Sequence, residues 1–351
     1  MENKELPFLS NYGFMLTYKC SVACPHCIVK AGPHRTEEMK AEDAFGWLDQ
    51  IEAYSRDSGF TPGIALTGGE PSFNVELLQK VADYAAVKNF IVSVVTNACW
   101  AATRESALGF VGNLSSVQLF SLSTDFYHQK FIPFANIRNA VYACKKLGRQ
   151  YNIAVATPSE EDPFYLALMD ELLEFTEVEK IDTALIVKVG RAEHAMDGTF
   201  LDGCPEPSEG ICTMASFPVI FPNGKVIACI GPPIVLPEFN PLYLGNLKKE
   251  PLKDILDKAE INPVLHAIRA FGPSLLVSKL KESGYGHLLP STYRKDTICD
   301  ICHQLFSDPE LCKAIEAISQ EDYFRRKVAY GRLYYLNEID MMERLNLVES
   351  N

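Results

Sequence analysis

The sequence has no apolar run approaching the roughly 18 residues of a membrane-spanning helix. Its opening, MENKELPFLS, is acidic and polar where a secretory signal would be basic and then apolar. A cytoplasmic protein with no membrane partner is the expectation. Clustered Lys and Arg are also missing. With a net charge of −12 over 351 residues, the chain lacks the basic groove that a phosphate backbone needs, and no nucleic-acid partner is expected. No repeat or low-complexity tract occurs. What remains is a globular composition, 47% hydrophobic, long enough for one large domain and a smaller appendage. It carries eleven cysteines. A reducing cytosol keeps thiols unpaired, so these read as metal-binding or redox groups and not as a disulfide framework.

The first half alternates two periodicities. Six β-rich runs, FMLTYK (14–19), GIALTG (63–68), IVSVVTN (91–97), VQLFSLS (117–123), YNIAVAT (151–157) and TALIVKV (183–189), read as buried strands. Between them apolar residues fall at helical spacing, as in Trp47, Leu48, Ile51 and Tyr54, or Leu77, Leu78, Val81 and Tyr84. Repeated βα units joined by right-handed crossovers, too few to close an eight-stranded barrel, predict an α/β fold built on a partial, open (β/α)6 TIM-like barrel. The rhythm stops near residue 195. The expected domains are the barrel over 1–195, a smaller cysteine-rich domain over 196–316 and a C-terminal helical segment over 317–351. In the second region FPVIFPNGKVIAC (217–229) carries a hairpin's Asn-Gly turn. PLKDILDKA, PVLHAIRAF and residues 308 to 346 look helical.

The unusual residues gather where the strands end. Cys20, Cys24 and Cys27 form a CxxxCxxC array in KCSVACPHC after the first strand. GGEP (68–71), TN (96–97), STDFYH (123–128), Thr157 and GRA (190–192) follow the others. In a parallel barrel these ends form the active rim. A structural metal site closes its shell with four protein ligands, whereas a reactive one keeps a position open. Three thiols on a short loop therefore point to an open site; the alternative is a zinc knuckle completed by His26 or His34. GGEP alone also suits a tight turn and STDFYH a helix cap, while Lys188 and Arg191 suit solvent or an ion pair as well as a substrate.

The cysteine array together with GGEP resembles the radical S-adenosylmethionine superfamily over residues 12 to 195. The resemblance implies that Cys20, Cys24 and Cys27 hold a 4Fe-4S cluster whose fourth iron is chelated by the amine and carboxylate of S-adenosylmethionine. An electron from the cluster would cleave the sulfonium, and the resulting 5′-deoxyadenosyl radical would take a hydrogen atom from a substrate. It also implies a flavodoxin or ferredoxin as electron donor. Gly68 and Gly69 would let backbone approach the methionine moiety, and Glu70 would offset its ammonium. His26 matches the position of an aromatic ring whose backbone meets the adenine. Thr96, Asn97, Ser123 and Asp125 are candidate ribose and carboxylate contacts. No catalytic acid or base is assigned.

Cys212, Cys229, Cys299 and Cys302 make a second group, C-x16-C followed by C-x2-C. With LYLGNLKKEPLKDIL (242–256), it resembles the auxiliary-cluster extensions called twitch and SPASM domains, implying one auxiliary 4Fe-4S cluster. The full SPASM pattern is not met, and the same four thiolates also suit a structural zinc. Cys99 and Cys144 read as core, while Cys204 and Cys312 stay open as replacements in this set.

Relatives with such extensions include peptide maturases, sulfatase-maturing enzymes and small-alcohol dehydrogenases. Oxidative modification or cross-linking of a peptide is the first expectation. A sugar- or aminocyclitol-type dehydrogenase is the second, and a non-catalytic electron carrier or scaffold the third. The first strand starts near residue 14, which leaves no room for a fused winged-helix module. A peptide would need a separate recognition protein or direct binding by the barrel.

Overall fold

The computed structural model describes residues 8–56, 60–196, 203–339 and 341–344. Two compact units emerge, one of Ser10–Phe200 with Val219–Gly224, the other of Met1–Leu9, Leu201–Pro218 and Lys225–Asn351.

In the first unit the period-two runs become strands β1 (Asn11–Thr17), β2 (Gly63–Gly68), β3 (Ile91–Thr96), β4 (Leu119–Ser123), β5 (Gln150–Thr157) and β6 (Ile181–Leu185). All pair in parallel in the order β6-β5-β4-β3-β2-β1. The register sets Phe14 against Leu66, Val94 against Phe120 and Leu122 against Ile153. Each of these is fully buried. At about 1.5–3 kcal/mol for each large apolar side chain removed from water, this alternating layer is what holds the sheet in register.

Five helices connect the strands: α1 (Ala41–Ser55), α2 (Val75–Val87), α3 (Arg104–Asn113), α4 (Ala135–Lys146) and α5 (Pro163–Leu173). Their apolar faces turn inward, as with Trp47, Leu48 and Ile51 of α1, or Leu77, Leu78 and Val81 of α2. Their starts are fixed by side chains that accept the unpaired first amides, Asn74 for α2, Thr103 for α3 and Asp162 for α5. The architecture is the α/β, partial-barrel arrangement expected from the sequence.

Two details differ from the pattern. The sixth strand stops at Leu185, because the apolar run that follows bends into a turn closed by Gly190 at φ +61°. Ahead of the Asn-Gly turn, β7 (Val219–Ile220) lies parallel to β1 and belongs to the first unit. The turn itself forms, with the Gly224 amide donating to Phe221 O at 2.8 Å.

In the second unit β8 (Lys225–Ile227) pairs antiparallel with β9 (Tyr243–Asn246). A helical short element, α6 (Ala192–Ala195), precedes it in the chain, and then come α7 (Leu252–Glu260), α8 (Pro263–Phe271), α9 (Ser274–Glu282), α10 (Cys299–Ser307), α11 (Pro309–Ser319) and α12 (Asp322–Tyr334). Of the stretch 308–346 expected to be helical, residues 335–339 are not helical, and residues 340, 345 and 346 lie outside the described residues. A buried ionic network ties α8 to α12. Arg332 Nη1 donates to Glu260 O at 3.0 Å and its Nε to Glu338 at 2.7 Å, and Arg269 donates to the same Glu338 and to His266 Nδ1. The segment after residue 316 therefore shares this unit's core.

Candidate active site

The cysteine loop leaves β1 and returns by the pairing of Lys19 with Gly32, the Cys20 amide donating to Gly32 O at 3.2 Å. Cys20 and Cys24 are buried and Cys27 half-buried, packed with Val22, Ala31 and Ile132. Arg191 clamps the loop: its guanidinium donates to Cys24 O and Ala31 O, and its amide to Cys27 O at 3.1 Å. Neighbouring Gly190 is required there, since a Cβ would stand 2.1 Å from Ile28 O in a left-handed backbone.

Every residue nominated from the sequence for this site, except Glu70 and Asp125, lines a single cavity of about 170 Å³. His128, quoted within STDFYH but not nominated, joins it. Cys20 receives an N–H from Asn97 Nδ2 at 3.6 Å and Cys27 from the Ala31 amide at 3.3 Å, while the His128 ring shares the cavity wall with Cys24. Burial pushes the Cys20 thiol up to about 12, helped by nearby Glu70, Cys24 and Cys27.

Gly68 and Gly69 are needed for close packing of the backbone as well. A Cβ on Gly68 would meet Thr17 O at 2.5 Å, and one on Gly69 would meet Lys19 O at 2.3 Å. The pair lets β2 hug the start of the cysteine loop. Glu70 has no exposed surface. Its Oε1 accepts from the Ser72 amide at 3.0 Å and the Thr96 hydroxyl at 2.8 Å, and its Oε2 from the Asn97 amide at 2.8 Å. The carboxylate thereby braces the ends of β2 and β3. Burial pushes its carboxyl up against these donors.

Asp125 is likewise turned inward, 1% exposed. Its Oδ1 accepts from the Tyr127 and His128 amides, and its Oδ2 lies 2.7 Å from His128 Nδ1 and 3.5 Å from His26 Nε2. Burial pulls His128 down, but Asp125 and the Cys24 sulfur outweigh it and hold the ring up at about 10. Burial dominates for His26, drawing it down to about 4 against the pull of Asp125. Its Nδ1 is buried without a hydrogen-bond partner.

A second cavity, of about 340 Å³, opens beyond β4 and β5. Pro25, Asp125 and Thr157 reach it, and Phe126 stacks on Phe164 at 4.2 Å in its wall. Lys130 Nζ sits 4.5 Å from the Phe126 ring centre.

In the other unit, Cys212, Cys229, Cys299 and Cys302 come together. Burial and then one another's charge raise the thiols of Cys229, Cys299 and Cys302. Cys229 accepts from the Gly231 amide at 3.2 Å, and a Cβ on Gly231 would lie within 3.8 Å of both the Cys229 and Cys299 sulfurs. Cys312 is turned to the carbonyls of Leu305 and Phe306, and Cys204 pairs by backbone with Tyr293. Cys144 is core, while Cys99 packs beside the first cysteine loop with its sulfur 3.6 Å from Ser72 Oγ.

Sulfur spacing separates cluster from single ion. Tetrahedral zinc with bonds of about 2.3 Å draws its thiolates to about 3.8 Å apart. Among the described residues, the group of potential ligands that converges within 4.8 Å is His26, Asp125 and His128; neither cysteine set does. The 2.7 Å approach of His128 to Asp125 is that of a hydrogen bond.

No family model and no curated protein matches the chain. Among solved structures, it is similar to BtrN in complex with AdoMet and 2-DOIA, at 14% identity and a TM-score of 0.39, over 72% of this chain and 82% of that one. Methylornithine synthase (PylB) matches at 14% identity and 0.39, over 50% and 53%. The cobalamin-dependent S-adenosylmethionine radical enzyme OxsB, with aqua-cobalamin and S-adenosylmethionine bound, matches at 11% and 0.38, over 97% and 56%. Overlaps this shallow leave the assignment to the site's own geometry.

Proposed function

We propose that the protein is a radical S-adenosylmethionine enzyme. The carrying observation is the trio Cys20, Cys24 and Cys27, lining one cavity at the strand ends with no fourth thiol among its lining residues. The unpartnered, buried Nδ1 of His26 in the same wall fits a ligand that brings a donor. Bound there, a 4Fe-4S cluster with S-adenosylmethionine supplies one electron to the sulfonium and so a 5′-deoxyadenosyl radical that removes a substrate hydrogen.

The chain's own residues do the rest. Cys20, Cys24 and Cys27 would hold the cluster, Arg191 fixes the loop's carbonyls, and Gly68, Gly69, Thr96, Asn97 and Ser123 line the cavity that would take the cofactor. The quartet Cys212, Cys229, Cys299 and Cys302, the last of them buried, suits a closed auxiliary 4Fe-4S cluster, which would give a substrate radical's second electron a place to go. A flavodoxin or ferredoxin would deliver the first electron. The reaction class is therefore oxidative: modification or cross-linking of a peptide, supported by the twitch-like cysteine pattern. The small-molecule dehydrogenase reading gains support from the modest size of the neighbouring cavity, about 340 Å³, near the lower end for ligand pockets.

Anaerobically reconstituted protein with dithionite should release 5′-deoxyadenosine and methionine from S-adenosylmethionine. Release no greater than from a Cys24→Ala control, with candidate substrates present, contradicts the enzyme reading and leaves the electron carrier.

A further inference from the structure

Of the N–H groups beside the cysteine sulfurs, the backbone ones are local. The Ala31 amide belongs to the loop itself, four residues from Cys27. The other two are side chains brought in from separate strand ends. Asn97 follows β3, 77 residues from Cys20, and is 5% exposed. Its Oδ1 accepts from the Cys99 amide at 3.1 Å, and its own amide is held by Glu70 at 2.8 Å, so the NH2 group is aimed at the sulfur. His128 follows β4. Its Nδ1 is committed to Asp125 at 2.7 Å and its backbone amide to the other oxygen of that carboxylate at 2.9 Å. The other ring nitrogen, Nε2, is left to the cavity wall that His128 shares with Cys24.

Such bracing exceeds what loop packing needs. A hydrogen bond to a thiolate withdraws charge from a cluster and favours the state with the extra electron, one of the means by which proteins set iron-sulfur potentials. We propose that Asn97 and His128 set the reduction potential of the cluster on Cys20, Cys24 and Cys27, raising it by donating to Cys20 and Cys24, with Asp125 acting through His128 as a positioning residue. This rests on the radical reading of the site. It moves Asn97 and Asp125 from cofactor contacts to control of the electron that starts the reaction.

The test is an EPR-monitored redox titration of the reconstituted full chain, its first cluster identified by the signal that Cys24→Ala lacks. At a fixed potential, His128→Phe and Asn97→Leu should each lower the ratio of reduced to oxidised cluster by up to about tenfold, a shift of about 59 mV for one electron. The double variant should approach the product of the two effects, and Asp125→Asn should give a smaller fall. Variants that keep full cluster content and titrate with wild type overturn the proposal. Pulsed EPR of the reduced wild type with 15N-histidine in heavy water needs no variant: a histidine nitrogen and an exchangeable proton coupled to the first cluster are expected, and absence of both overturns it. A wild type that loads no cluster on these three cysteines sinks the radical reading itself, which is a separate result.

Discussion

Cys20, Cys24 and Cys27 come from one short loop and line one cavity, where Asn97 and the Ala31 amide donate to Cys20 and Cys27. Cys212, Cys229, Cys299 and Cys302 are gathered from distant stretches of chain, Cys302 buried and the other three half-buried, with the Gly231 amide donating to Cys229. The first arrangement is held by its neighbours without a guest: Arg191, Gly190 and the Gly68-Gly69 crossing fix the loop. The second is drawn from three separate stretches, and burial raises its thiols as it raises Cys20, so a cation that replaces their protons would tie those stretches together.

The largest effects should separate the two sites. Replacing Cys20, Cys24 and Cys27 together should remove about half the iron of the reconstituted protein and all cleavage of S-adenosylmethionine, with the second cluster's spectrum intact. Loss of all iron, or zinc in the second site, breaks the comparison. Conversely, Cys302→Ala should empty the second site and lower the thermal stability of the C-terminal unit. Protease cuts should then appear between residues 225 and 339, while the first cluster remains. Equal protease resistance in both forms would mean that the quartet contributes nothing to folding.

Smaller effects probe the loop. Arg191→Ala removes charge-assisted hydrogen bonds to two carbonyls, worth roughly 1.5–3 kcal/mol each, and should make the first cluster labile to chelators without changing the second. Gly190→Ala should do the same through the clash with Ile28 O. Glu70→Ala leaves the Ser72 and Asn97 amides and the Thr96 hydroxyl without their acceptor. The first unit should lose about 1–3 kcal/mol for the unsatisfied donors, read by denaturant unfolding. A lost affinity for S-adenosylmethionine at unchanged stability would return Glu70 to the cofactor.

The mildest effect concerns pH. His128 is raised to about 10 from an ordinary 6.5, so its contribution is complete below 6.5 and is lost as pH climbs through 10. Asp125 is lowered: burial opposes this, but His128 and His26 outweigh it. Its contribution is therefore present above the ordinary 3.8 and lost on acidification through the lower folded value. The pair should stabilise the cluster-free protein fully between about 4 and 6.5. His128→Asn should flatten the alkaline decline between pH 6.5 and 10, and an unchanged slope would show the pair to be unimportant for stability.

The strands and their rim were legible because alternating apolar runs and cysteine spacing are local signals. The roles of particular residues were less so, since their partners are far away in sequence. Arg191 meets Cys24 across 167 positions and Glu70 meets Asn97 across 27. The glycine pair was found for a ligand's sake, whereas the backbone of Thr17 and Lys19 is what crowds it. His128 stood in the quoted STDFYH, but a carboxylate three residues before a histidine does not reveal which of the two faces the cavity. Gly190 directly before Arg191 at the end of the last barrel run was the available sign of a clamp.

The account's central claim is that one cysteine set is open to a ligand and the other closed. Pulsed EPR on the reduced protein with S-adenosylmethionine labelled at its amine nitrogen and carboxylate oxygen tests this directly. Coupling of both labels to a single cluster is predicted, the one that vanishes in Cys24→Ala and persists in Cys302→Ala. Coupling to neither cluster, or to the one that Cys302→Ala removes, would contradict it.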